Sequence, residues 1–209
     1  MLTIILSKQR SGSTLLIDFL NSHPDIEAFG EQIEHSKDDK ERLGIIQGLE
    51  ERPGNNVFKI MYNQLTVAVE DYLLQREIPI IHLKRENHTA RLVSDWINRH
   101  KDVVGRESAE SYEKLPPVKI TVDPAWFKYQ YSEDLMDMAH LTQMFKKNPY
   151  MEITYEEMTG NGNVSALGDN VSKRLTDFLG VKECSLTTKL VKQNPKDPKD
   201  SVLNYEELL

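Results

Sequence analysis

The chain has 209 residues and a formal net charge of −7, from 26 basic and 33 acidic side chains. That length supports one domain with a real core, roughly 70 % of the unfolded surface being buried at this size. The acidic balance excludes a protein that binds nucleic acid through overall charge, and the single cysteine, Cys184, excludes an internal disulfide framework or a cysteine-rich zinc site.

Residues 2–6, Leu-Thr-Ile-Ile-Leu, are apolar and β-prone and read as a buried strand. Further strands are expected at 57–61, 78–83 and 150–154, with helices at about 14–22, 38–50, 64–76, 88–100, 124–147 and 164–179. Such alternation predicts an α/β fold with a mostly parallel sheet flanked by helices. The segment 28–40 reads as an acidic loop. Residues 101–123 read as a charged loop, and 192–200 as irregular chain. A strand at the first residues leaves no signal peptide ahead of the fold in this reading. No run approaches the 18 or so apolar residues of a membrane span. The expectation is a soluble, cytoplasmic protein without a membrane or nucleic-acid partner.

The turn after the first strand carries the most chemistry. It reads Ser7-Lys8-Gln9-Arg10-Ser11-Gly12-Ser13-Thr14, followed by the helix start Leu15-Leu16-x-x-Phe19-Leu20. A helix N-terminus offers unpaired backbone N–H groups and a dipole that favours an anion. Gly12 lets the backbone approach a ligand, Ser13 and Thr14 can donate to its oxygens, and Lys8 and Arg10 add positive charge. A nucleoside-triphosphate loop of the G-x-x-x-x-G-K-[ST] kind needs a second glycine and a lysine before the hydroxyl. This turn has neither.

The run Arg-Ser-Gly-Ser-Thr-Leu-Leu at 10–16 instead resembles the 5′-phosphosulfate loop of the sulfotransferases, whose donor is 3′-phosphoadenosine 5′-phosphosulfate (PAPS). A second stretch, His82-Leu83-Lys84-Arg85-Glu86-Asn87 with Ser94 nine residues after Arg85, resembles that family's 3′-phosphate site. Met151 to Met158, and Leu175-x-x-Phe178-Leu179-Gly180-Val181, look like its Tyr-Glu strand end and Phe-Leu-Gly helix end. Phe58-Lys59-Ile60-Met61-Tyr62 also looks like small members, with Lys59 placed mid-strand, where a charge is costly unless it reaches a ligand or an edge. The tail from Lys189 to Leu208 resembles the C-terminus of small bacterial-type members.

The resemblance implies a three-layer P-loop-like fold over 1–209, with 101–149 shaping the acceptor side. It also implies transfer of a sulfuryl group to a hydroxyl of a carbohydrate or small metabolite, with PAPS as donor, 3′-phosphoadenosine 5′-phosphate (PAP) as product and no metal. Donor binding falls to Arg10, Ser11, Gly12, Ser13, Thr14, Arg85 and Ser94, with Lys189, Lys192 and Gln193 as a closing basic loop. Arg10, standing where many members have lysine, is the expected stabiliser of the leaving group, and Lys8 is second. Glu31 is the candidate base, with Glu34, His35 and His82 as alternatives. Tyr155 and Glu156 are expected to brace the loop from behind. Of the aromatics in 101–149, Trp126, Phe127 and Tyr131 are expected to pack on the core as one helix face. A metabolite kinase or a non-catalytic nucleotide-binding protein of the same fold are the competing readings.

Overall fold

The computed structural model describes residues 1–100, 119–160, 164–190 and 197–208. Five strands form one sheet: β1 (Leu2–Ser7), β2 (Ile26–Phe29), β3 (Asn55–Met61), β4 (Ile80–Lys84) and β5 (Tyr150–Thr154). Their order is β2-β3-β1-β4-β5, and every pairing is parallel. All carboxyl ends therefore open on one edge, where open α/β sheets bind ligands.

β1 sits in the middle and is buried along its whole length. Strand alternation sorts its side chains between two cores. Ile5 faces a cluster with Leu16, Phe19 and Leu20 of helix α1 (Ser13–Asn21) and Leu175 and Leu179 of α7 (Asp169–Leu179). Ile4 and Leu6 face the other side. There they meet Ile46 of α2 (Asp39–Glu51), Val69 and Leu73 of α3 (Val67–Gln75), and Leu141 of α5 (Pro124–Met144). A third cluster packs Leu92, Val93 and Ile97 of α4 (His88–Arg99) against Phe127, Val202 and Leu208.

Several expectations are corrected. β2 was not expected, and it runs into the segment read as an acidic loop: it is a four-residue edge strand with alternating burial, too short and too polar at Glu27 to stand out in the sequence. The helix expected from 64 starts at Val67, because Tyr62–Gln64 forms a 3₁₀ turn and Thr66 then caps α3 by accepting from the Val69 N–H. The helix expected from 164 starts at Asp169, and an unforeseen short helix, α6 (Tyr155–Thr159), follows β5 directly. Pro198–Asp200, expected to be irregular, is a 3₁₀ turn. Gly180 ends α7 at φ 65°, in the left-handed cap its position suggested. In α5, Phe127 is buried and Trp126 packs on Trp96, but Tyr131 is 37 % exposed and so lies off the core-facing stripe.

Candidate active site

The turn between β1 and α1 is built on two left-handed residues, Arg10 at φ 65° and Gly12 at φ 92°. Gly12 is required twice over: its φ disfavours a side chain, and a Cβ there would meet Tyr155 Cδ2 at 2.5 Å. Gly12 precedes Ser13 at the start of α1, and no side chain caps this helix among the described residues. The helix dipole favours an anion at this end.

Arg85, at the end of β4, is 9 % exposed. Its Nη1 donates to the Arg10 carbonyl at 2.9 Å, and its guanidinium lies 4.5 Å from the Tyr155 ring centroid. Burial pulls its proton affinity below the ordinary arginine value, with Tyr155 and Glu156 opposing. Ser94, on the second turn of α4, accepts from Arg10 Nε at 3.2 Å. Arg10, Ser11, Gly12, Arg85 and Ser94 therefore converge on one point of the sheet edge. Tyr155 touches both Gly12 and Arg85, which is the bracing expected of it. The Glu156 carboxylate accepts from the Glu86 and Asn87 N–H groups at 3.0 and 3.2 Å, tying α6 to the start of α4.

On the β3 side, Lys59 is 6 % exposed. Its ammonium lies 3.1 Å from Glu31 Oε1 and donates to Thr14 Oγ1 at 3.4 Å. Gln64 Nε2 donates to the other Glu31 oxygen at 2.9 Å. Glu31 is thus joined to the loop through a buried lysine.

Lys8 points elsewhere. It pairs with Asp137 and lies 3.3 Å from Asp134, both on α5. Asp134 is the residue that the sequence reading missed. It is 2 % exposed and accepts from Arg91 Nε at 2.7 Å, while Arg91 Nη1 donates to the Gln9 carbonyl at 3.0 Å. Burial works against its charge, yet His88, Arg91 and Lys8 together hold its carboxyl below the ordinary value. The signal was present in the sequence: Phe127, Asp134 and Leu141 are the buried positions of α5, one residue every seven, and the middle one is an acid.

The remaining candidates divide. His82 is fully buried in β4, between the hydroxyls of Tyr62 and Tyr150, and burial pushes its pKa down to about 3. It is a core residue and is corrected as a base. Glu34 and His35 are solvent-facing, with side chains 55 % and 93 % exposed. Lys189 is exposed. Lys192 and Gln193 lie outside the described residues. Among the described residues no group of three or more His, Cys, Asp or Glu side chains is placed to hold a metal, and no helix is long and apolar enough to cross a membrane.

A parallel α/β sheet with a helix N-terminus after its central strand and a buried arginine at the end of neighbouring β4 is an arrangement suited to an anion at the carboxyl edge. The family model of the sulfotransferase domain matches residues 2–208, and the chain belongs to that family. Among solved structures, the chain is similar to mouse sulfotransferase SULT7A1 complexed with PAP, with a TM-score of 0.53 and 18 % identity over 87 % of this chain. It spans 58 % of that protein's length. No curated protein matches the sequence.

Proposed function

We propose that this protein transfers a sulfuryl group from PAPS to a hydroxyl acceptor, a carbohydrate or a small metabolite. The observation that carries this reading is the convergence of the uncapped α1 N-terminus, Arg10, Arg85 and Ser94 on one edge of the sheet. The 5′-phosphosulfate sits on the α1 N-terminus, with Ser11, Ser13 and Thr14 donating to it. Arg85 and Ser94 take the 3′-phosphate.

The acceptor oxygen attacks sulfur in line, the bond from sulfur to the bridging oxygen breaks, and PAP leaves with the electron pair. Arg10 neutralises charge on the bridging oxygen. Lys59, next to Thr14, serves the 5′-phosphate oxygens on the loop. Glu31 takes the acceptor proton. α5 forms the acceptor side, and Lys8 ties that helix to the loop instead of serving the leaving group.

Calorimetric titration with PAP, beside AMP and Mg-ATP, tests the reading. Micromolar PAP binding that is lost with AMP and weakened at least tenfold in Arg85→Ala supports it. Equal binding of PAP and AMP removes it, and a preference for Mg-ATP makes the protein a kinase.

A further inference from the structure

Lys59 stands between two oxygen partners that it cannot serve equally once an anion arrives. Its Nζ is 3.1 Å from Glu31 Oε1 and 3.4 Å from Thr14 Oγ1, and its side chain is 8 % exposed, so water screens it little. Glu31 does not depend on Lys59 for its position. Gln64 Oε1 accepts from the Met61 N–H at 2.9 Å, which turns the Gln64 amide nitrogen toward Glu31 Oε2, also at 2.9 Å. Lys59 is the charged group that the described residues place against Glu31.

Building on the sulfotransferase reading, we propose that the donor switches on the base. Glu31 is one half of an ion pair with Lys59. A phosphosulfate on the loop draws Lys59 toward Thr14 and away from Glu31. The carboxylate loses its counter-ion, keeps its place through Gln64, and gains affinity for the acceptor proton. The acceptor O–H proton then passes to Glu31 as the new oxygen–sulfur bond forms and the sulfur–bridging oxygen bond breaks, and Glu31 later loses it to solvent. Acceptor activation thereby follows donor binding.

The test is proton linkage, which needs no acceptor. PAP is titrated by calorimetry at pH 5.5 in acetate, MES and histidine buffers, whose ionisation enthalpies differ, so the slope gives protons taken up per PAP bound. Wild type is expected to take up a measurable fraction of a proton more than Glu31→Gln, protonation of PAP itself being common to both. Lys59→Met, whose Glu31 has no counter-ion to lose, should show at most half of that excess. Glu31→Ala replaces the glutamine variant should that one fail to melt cooperatively. PAP binding with equal uptake in wild type and Glu31→Gln overturns the switch and leaves the donor site standing. No PAP binding by folded wild type overturns the sulfotransferase reading and the switch with it.

Discussion

Arg10 Nε donates to Ser94 Oγ at 3.2 Å, joining two residues that lie 84 positions apart. The β1–α1 turn and α4 are thereby tied to each other. Arg10 holds a left-handed backbone to do so, at φ 65°, a conformation that costs an L-residue roughly 1–2 kcal/mol. In the proposed function, the side chain that neutralises the leaving group thus rests on the serine that receives the 3′-phosphate.

Arg10→Ala should therefore lower turnover by about a hundredfold, the loss typical of an oxyanion donor. PAP affinity should fall much less, because Arg85 and the α1 N-terminus remain. Single-turnover transfer from PAPS to an acceptor found by screening gives the first quantity and calorimetry the second. Unchanged turnover removes Arg10 from the chemistry.

Gly12→Ala should fail in two ways at once. The backbone at φ 92° resists a side chain, and the new methyl meets Tyr155 2.5 Å away. The variant should melt at a lower temperature, with a loss of about 1–3 kcal/mol for the strained backbone, and bind PAP at least tenfold more weakly. A variant matching wild type in both would mean that the loop is not held at this close approach.

Asp134→Asn should destabilise the fold by about 3–5 kcal/mol, since it leaves buried Arg91 without its carboxylate and takes one of two acids from half-buried Lys8, which keeps Asp137. The effect depends on pH with a definite sign. The folded carboxyl lies below its ordinary value, so its stabilisation is complete above the unfolded value, about 4, and disappears as pH falls through the lower folded one. Urea unfolding of wild type and variant from pH 7 to pH 3 should show the gap closing only below about pH 4. A constant gap would place the effect elsewhere.

His82 should stay neutral from pH 5 to pH 9, because burial pushes its pKa down to about 3. Glu152 accepts from the Tyr150 hydroxyl at 3.0 Å, which leaves the Tyr150 oxygen to accept from His82 Nδ1–H and the Tyr62 hydroxyl to donate to Nε2. Nitrogen-15 imidazole shifts of the Nδ1–H tautomer, constant across that range, are the expected result. A titrating His82 would reinstate it as a candidate base.

The convergence of the β1–α1 turn with Arg85 and Ser94 was legible because its signals are local. A β-run ending in Arg-Ser-Gly-Ser-Thr, and an arginine at a strand end nine residues before a serine, each fit within one strand–turn–helix unit. Chain connectivity alone brings them to one edge of a parallel sheet. The central strands were legible for a similar reason: buried on both faces, they appear as continuous apolar runs. The edge strand β2 was not, because only one of its faces is covered and its four residues alternate with a charge.

Composition, the donor loop, the alternation of strands and helices and the family resemblance were thus set by the sequence itself. Which side chains meet across the chain was decided only by the tertiary structure. His82 looked like a base until its neighbours in space, Tyr62 and Tyr150, enclosed it. Lys8, the second candidate in the sequence for stabilising the leaving group, pairs with Asp134 and Asp137 of a distant helix. Lys59 and Glu31 stand 28 positions apart, in no common motif, and become a pair because β2 ends opposite Phe58, next to Lys59 on parallel β3. The chemistry of a charged group depends on the charges and solvent around it, and packing between remote segments supplies both.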